Sequence, residues 1–166
     1  MKKVGLHVRG DQVPNADLKE NPDWFRGPAN MKTQWVGGSN VSIMVSSRQP
    51  GWHTLPHTHE CEQMMYVISG HGWFFIEEEG FEFGPGDFFR VPANEIHWSW
   101  LRDEGVEYLQ IHTPGLDIPI GEESRVFLLR EDEEDPVLVP NVFPSAEEAE
   151  EIMRRVELKY VGETIE

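Results

Sequence analysis

Short runs of β-branched and aromatic residues, separated by turn residues, fill the chain between residues 33 and 113 and constrain its fold most strongly. Pairs such as Pro50-Gly51 and Ser69-Gly70 supply turns between the runs. Many short strands at this spacing predict an all-β fold, an antiparallel sandwich or barrel. The predicted strands are residues 41–46, 63–68, 72–76, 81–83, 87–91, 97–101 and 106–112.

The two ends of the chain follow different patterns. Residues 1–32 are interrupted by several prolines and predict an irregular N-terminal arm lying on the body. Residues 117–166 form an acidic C-terminal extension, in which Ser145 and Glu148 have the spacing of a helix capping box. We therefore divide the chain into this arm, a β-barrel at residues 33–116, and an extension with one short α-helix.

Composition excludes several classes of protein. The net charge of −16 argues against a nucleic-acid partner, because phosphate binding needs a basic surface. No apolar run approaches the length of a membrane span. The basic start is not followed by the apolar stretch that a signal peptide has. The single cysteine, Cys61, excludes an internal disulfide and predicts a cytoplasmic protein.

Potential metal ligands concentrate in residues 51–63. Alternate side chains of an extended segment face the same side, so His57 and His59 point together, and Gln63 shares their parity. A further histidine, His97, follows in a matching context. Imidazole is the commonest metal ligand near neutral pH, and the sequence therefore predicts a mononuclear metal site on a β scaffold.

Two segments resemble the motifs of the cupin superfamily: Gly51-x5-His57-x-His59-x3-Gln63-x6-Gly70, and Pro85-Gly86-Asp87 followed by Pro92-x4-His97. The resemblance implies a single-domain cupin with a double-stranded β-helix, or jelly-roll barrel. It also implies one divalent transition metal per chain (Zn, Ni, Fe, Mn or Co), held by His57, His59, Gln63 and His97. A small-molecule substrate or ligand and a homodimer are further expectations from the family.

Three positions depart from the family pattern. Gln63 stands where the first motif usually has Glu, Asn94 where the second usually has Gly, and Leu101 where it often has Asn. The glutamine form is similar to a cupin variant with a three-His, one-Gln site, which includes uronate-linearising cupins and some polyketide cyclases. Without a carboxylate ligand, the +2 charge of the metal stays uncompensated and polarises a substrate oxygen more strongly.

This donor set favours an enzyme in which the metal is a Lewis acid. The expected substrate is polar or sugar-acid-like, and the expected chemistry is that of an isomerase, cyclase or lyase. A metal-dependent dioxygenase and a non-catalytic cupin that binds a small ligand are the alternatives.

The catalytic residues are less constrained than the ligands. Arg90 either points inward, where it would suit a substrate carboxylate, or outward to a surface glutamate, which we expect. Tyr108 and His112 share a parity, and a catalytic role for them requires this stripe to line the cavity. The alternative, that Leu109 and Ile111 face the core instead, is the one we expect.

Other residues near the motifs compete for these roles. Glu60 or Glu62 replaces Gln63 as ligand only if the chain bulges. Cys61 is a soft donor that competes for the same role, but we expect it to pack as a small buried hydrophobe, as a lone cysteine usually does. Trp98 and Trp100 oppose His97, so we expect them outside the barrel, in a subunit interface or under the N-terminal arm.

Overall fold

Two β-sheets form the body of the protein. The computed structural model describes residues 2–3, 5–16, 25–28, 31–117, 125–129 and 134–162. One sheet has the order β1 (Lys2–Lys3), β14 (Arg125–Phe127), β3 (Met31–Gly37), β4 (Ser42–Arg48), β12 (Val106–Thr113), β7 (Glu62–Ser69) and β10 (Phe88–Val91). The other has the order β2 (Phe25–Arg26), β5 (His53–Thr54), β11 (His97–Trp100), β8 (Gly72–Ile76) and β9 (Glu79–Phe83).

Smaller elements complete the described part of the fold. A three-stranded sheet has the order β13 (Gly115–Asp117), β15 (Leu138–Val142) and β6 (Thr58–His59). The α-helix α1 (Ala146–Tyr160) follows β15, and a short 3-10 helix covers Gly10–Gln12. The protein is therefore mostly β with a C-terminal helix, and the predicted jelly roll is confirmed.

Alternation of side chains decides which residues enter the barrel. Along β4 every second residue is buried and the intervening ones are exposed or half-buried, and β7 alternates in the same way over its first six residues. Met65 and Val67 share the inward side with Gln63. The two sheets meet across one apolar core: Trp52, Met65, Val67, Phe74, Phe83, Val91, Leu101 and Val106.

The ends of the predicted strands lie within about two residues of the observed ends. Strand β3 is not among the predicted strands. The arm contacts the barrel at Ala16, whose amide donates to the carbonyl of Thr33 at 2.6 Å. Strand β14 of the extension pairs in parallel with β3. The division into arm, barrel and extension stays a prediction, although the arm adds β1 and β2 to the two large sheets and the extension adds β14 to the larger one.

Helix α1 begins where the capping box predicts. The hydroxyl of Ser145 accepts from the amide of Glu148 at 3.3 Å, and the Glu148 carboxylate accepts from the Ser145 amide at 3.0 Å. The helix packs on the outer side of the five-stranded sheet through Ala149, Met153 and Val156. Across the residues that the structure describes, no helix combines the length and apolarity needed to cross a bilayer.

Candidate metal centre

Three histidines meet inside the barrel, and we call them the inner cluster: His57, His59 and His97. One ring nitrogen from each lies within 4.8 Å of the others. A β-bridge brings two of them together, since the amide of His97 donates to the carbonyl of His57 at 3.0 Å and the reverse bond is 3.2 Å long. His59 follows on β6 with the parity of His57. The alternation of extended chain thus brings together the histidines that the motifs single out.

Each imidazole of the inner cluster is oriented by a backbone carbonyl two residues away. Nδ1 of His57 lies 2.8 Å from the carbonyl of Leu55, and Nδ1 of His59 lies 2.9 Å from that of Cys61. Nδ1 of His97 lies 3.0 Å from the carbonyl of Glu95. A carbonyl only accepts, so Nδ1 carries the proton in all three rings and Nε2 keeps its lone pair for a metal.

The amide of Gln63 faces the inner cluster. Its Oε1 lies 3.3 Å from Nε2 of His59 and 3.0 Å from Nε2 of His112. His112 donates to this oxygen, whereas His59 presents a lone pair to it, so two acceptors face each other. Ligands on adjacent positions of one cation, each about 2.1 Å from it, stand roughly 3.0–3.4 Å apart. The spacing therefore fits a shared cation.

Burial keeps these imidazoles neutral. It lowers the pKa of His57 to about 4 and that of His112 to about 3, and it lowers the pKa of His59 and His97 as well. Nε2 of His97 is buried and has no hydrogen-bond partner among the described residues. A neutral imidazole with an unpaired buried lone pair is what a divalent metal requires, so the donor set fits the metal that the family implies.

The competing ligands lie elsewhere. Glu60 is exposed, and Glu62 binds the guanidinium of Arg90 on the outside of the sheet. The Sγ of Cys61 lies 3.1 Å from Nδ1 of His59, the nitrogen that faces away from the cluster, and burial raises the pKa of this thiol to about 12. Among the alternatives considered, Gln63 alone presents an oxygen to the histidines.

A cavity continues from the inner cluster along β4 and β12. Tyr108, Gln110 and His112 line it, so the expectation that Leu109 and Ile111 face the core is wrong. The reason is pairing: Gln63 faces inward, and His112 is its cross-strand partner on β12. The polar stripe therefore shares the interior of the barrel with the inner cluster.

Arg90 does not reach this cavity. Its side chain is 61% exposed, and Nε donates to Glu62 at 2.7 Å, so its catalytic candidacy finds no support in the geometry. A different arginine, Arg48, is not singled out by the sequence motifs, but it is 5% exposed and lines the cavity. Its parity with Ser42 and Met44 is the signal that could have found it, but the predicted strand ended at residue 46.

A further buried histidine, His53, lies outside the barrel in what we call the outer cluster: His53, Trp98 and Glu157. Nε2 of His53 donates to Oε1 of Glu157 at 2.8 Å, and Nε1 of Trp98 donates to the same oxygen at 2.9 Å. Trp98 and Trp100 are therefore covered by helix α1, and the expectation of a subunit interface or the N-terminal arm above them is wrong.

Four positions of the motif segments have a left-handed backbone, Gly51, Gly70, Gly86 and Asn94, and two of them bear on the site. Gly70 has φ +84°, and an added Cβ would collide with the carbonyl of Gly105. Asn94 has φ +68°, in the region where glycine is usual and asparagine is tolerated best among other residues. The backbone amide of Asn94 donates to the carbonyl of His59 at 2.9 Å. Asparagine thus preserves the turn that joins the second motif to the first.

Comparison with known proteins agrees with this fold. Residues 44–112 match the family of the cupin domain, Cupin_2. The chain is 26% identical over 104 residues to auxin-binding protein T92 of Nicotiana tabacum, covering 53% of this chain and 56% of that protein. It is 35% identical over 80 residues to acireductone dioxygenase of Leptospira biflexa, covering 43% and 45%. The chain thus spans about half the length of these relatives.

Solved structures extend the likeness over nearly the whole chain. A cupin-2 domain from Rhodospirillum rubrum, Rru_A2000, superposes with a TM-score of 0.62 at 15% identity, covering 95% of this chain and 92% of that chain. The polyketide cyclase RemF from Streptomyces resistomycificus gives a TM-score of 0.56 at 18% identity, covering 92% and 91%. Residues 44–112 therefore match the cupin domain family, and the solved structures share the fold of nearly the whole chain.

Proposed function

We propose that the protein is a metal-dependent enzyme with a divalent transition metal held by His57, His59, His97 and Gln63. The observation that supports this is a donor set of three neutral imidazoles and one amide oxygen, without a carboxylate. When bound, the cation supplies Lewis acidity that polarises a carbonyl or hydroxyl oxygen of the substrate. The substrate class is a polar or sugar-acid-like molecule, and the reaction class is isomerisation, cyclisation or elimination.

The residues around the donors position them and line the substrate space. His112 donates to Oε1 of Gln63 and holds that oxygen toward His59. This makes His112 a positioning residue, because it acts on the substrate only through the amide. Tyr108 and Gln110 place polar groups farther along the same wall, where they are available to orient a substrate.

Two alternatives have support from the comparisons. Similarity to acireductone dioxygenase favours oxygen-dependent chemistry, and similarity to auxin-binding protein T92 favours a cupin that binds a small ligand without turnover. The lack of a carboxylate donor weighs against the dioxygenase, because a more positive site stabilises a higher oxidation state of the metal less well.

Metal analysis and oxygen dependence test the proposal. We expect one equivalent of metal per chain, and turnover of a hydroxy acid or uronate by zinc-loaded protein at the same rate with and without oxygen. Gln63→Glu keeps an oxygen donor and adds a negative charge, so it is the matched variant and should slow this reaction. Turnover that needs iron and consumes oxygen would establish the dioxygenase. A tightly held ligand without turnover in any metal form would establish the binding protein.

We also propose a homodimer, with the second copy on the outer face of the larger sheet. Apolar side chains on this face are between 36% and 72% exposed, and strand pairing makes them contiguous, as at Ile43, Ile111 and Met64. Such a face is unusual on a monomer. Light scattering should give twice the chain mass for the wild type and the chain mass for Tyr66→Lys, whereas a monomeric wild type would contradict the dimer.

A cytoplasmic location is the last part of the proposal. Cys61, the single cysteine of the chain, is a buried free thiol, which suits a reducing compartment. Cell fractionation with an antibody to the protein tests the location, and recovery from a secreted fraction would contradict it.

A further inference from the structure

Arg48 places a positive charge in the cavity of the candidate metal centre. It ends β4, and its side chain is 5% exposed. The cavity it lines is also lined by His57, Gln63 and His112. The guanidinium stays charged at physiological pH because its ordinary pKa is far above neutrality, so burial here has an electrostatic cost.

No carboxylate of the described residues forms an ion pair with Arg48. Other arginines of the described chain do have such partners at hydrogen-bond distance: Arg9 with Asp11, Arg26 with Glu150, Arg90 with Glu62, and Arg155 with Glu78. Those four are on the surface, where pairing matters little. Arg48 is buried and lacks a counter-charge among the described residues, which is the reverse of what a purely structural arginine requires.

The guanidinium is fixed with one edge unused. Nη1 donates to Oγ1 of Thr33 at 2.8 Å and to the carbonyl of Ser47 at 3.2 Å, whereas Nε is buried and has no partner among the described residues. The charged group lies 4.8 Å from the ring centre of Trp52 and 5.5 Å from that of Tyr108. These rings hold its position, while the edge formed by Nε and Nη2 has the geometry that binds an oxyanion through two parallel hydrogen bonds.

The position of Arg48 sets a length for its ligand. Tyr108, beside the guanidinium, and His112, beside Gln63, are four residues apart on the same face of β12. At the rise of a β-strand this separation is roughly 13 Å between Cα atoms. A molecule that reaches both the inner cluster and Arg48 therefore spans several carbon atoms, with an oxygen at one end and an anionic group at the other.

We infer that Arg48 binds a terminal oxyanion, a carboxylate or a phosphate, of the substrate of this cavity. The inference rests on the proposed function in one respect, since it takes the cavity as the substrate site. It narrows the substrate class to organic anions, and it makes Arg48 a specificity-determining residue. The alternative is that Arg48 only packs between Trp52 and Tyr108.

Three probes with the same six-carbon polyol chain test whether Arg48 binds an oxyanion or only packs between the rings: gluconate, sorbitol 6-phosphate and sorbitol. Calorimetry with zinc-loaded wild type should give at least about tenfold tighter binding for one of the two anions than for neutral sorbitol. The preferred anion identifies the carboxylate or the phosphate. Arg48→Met should abolish the preference, and Arg48→Lys should retain part of it, because the charge remains while the two-pronged geometry is lost.

Arg90→Met is the matched control. It removes one positive charge from the same protein, but from the surface, so the preference for the anion should persist. Equal binding of all three probes would overturn the inference, as would a preference that survives Arg48→Met. If Arg48→Met does not fold, wild-type crystals soaked in bromide give a second measurement. Bromide should lie next to the guanidinium of Arg48, and its absence there together with absent anion binding would also overturn the inference.

Repeating the titration on chelator-treated protein separates this inference from the proposed metal centre. If the metal assignment fails but Arg48 binds the anion, the preference and its loss in Arg48→Met persist without zinc. If Arg48 fails but the metal assignment holds, zinc binds stoichiometrically and the three probes bind alike.

Discussion

The inner and outer clusters both bury histidine, and they differ in what faces the imidazole. In the outer cluster, His53 and Trp98 share the carboxylate of Glu157, a partner that satisfies both donors. In the inner cluster, each Nδ1 is held by a backbone carbonyl, Nε2 of His59 faces the amide oxygen of Gln63, and Nε2 of His97 has no hydrogen-bond partner among the described residues. The two clusters therefore differ at Nε2, which meets a carboxylate of the chain in His53 and no hydrogen-bond partner among the described residues in His97.

The largest expected effect separates the two clusters by metal affinity. Zinc sites with four ligands contribute about 10–16 kcal/mol, so removing two ligands in His57→Ala/His59→Ala should cost roughly 5–8 kcal/mol of binding. That loss exceeds a thousandfold in the dissociation constant. His53→Ala is the control and should keep the affinity, measured by competition with a chelator. Equal zinc affinity in the two variants would show that the inner and outer clusters do not differ in metal binding.

The free energy of unfolding should depend on the outer cluster, whereas metal affinity depends on the inner one. Glu157→Ala leaves His53 and Trp98 without their acceptor in a buried site, and breaking such a pair costs about 3–5 kcal/mol of unfolding free energy. Glu157→Gln keeps an acceptor and should cost less. Urea denaturation measures both, and metal content should stay unchanged. A loss below about 1 kcal/mol in Glu157→Ala would show that the outer cluster does not anchor α1.

Acid should weaken the metal-free protein through the buried histidines inside the barrel. Burial lowers the pKa of His57 to about 4 and of His112 to about 3, so unfolded histidines, near 6.5, take up protons first. Their contribution to stability is therefore complete above about pH 6.5 and is lost as the pH falls toward 4 and then 3. Each group contributes up to about 1.4 kcal/mol per pH unit.

Urea denaturation in the presence of a chelator, at several pH values between 7.5 and 4, measures how the free energy of unfolding changes with pH. His112→Phe should remove the part of this pH dependence that comes from His112. A pH dependence of the free energy of unfolding identical to that of the wild type would contradict a lowered pKa for His112.

The smallest effect concerns the N-cap of α1, Ser145, which belongs to neither cluster. Ser145→Ala removes the side-chain acceptor of the capping box and should cost about 1 kcal/mol of unfolding free energy, without changing metal affinity. Ser145→Thr should restore most of it. Thermal denaturation measures the difference, and no change in Ser145→Ala would mean that the contacts made by Glu157 and its neighbours position the helix unaided.

Local periodicity explains what the sequence could predict. Extended chain has a period of two residues, which is why the spacing of His57, His59 and Gln63 was enough to place them on one side. The capping box at Ser145 is equally local and identified the helix start. The family motifs then supplied His97, which is distant in sequence. The metal itself and the roles of these residues stay predictions.

Non-local pairing explains what was missed. Arg48 and Arg90 both stand in strands, and which faces inward depends on the strands that pair with them and not on their own neighbours. The stripe at Tyr108 was misassigned for the same reason. Trp98 and Trp100 need cover, but nothing near them in sequence says that a helix about fifty residues later provides it.

The contact between His53 and Glu157 joins residues 104 positions apart, and this has a consequence during synthesis. A ribosome releases every strand of the five-stranded sheet before it makes helix α1. Until the helix emerges, the indole surfaces of Trp98 and Trp100 have no cover, although the barrel strands are complete. The nascent protein therefore passes through a stage in which an apolar face is exposed to chaperones and to neighbouring chains.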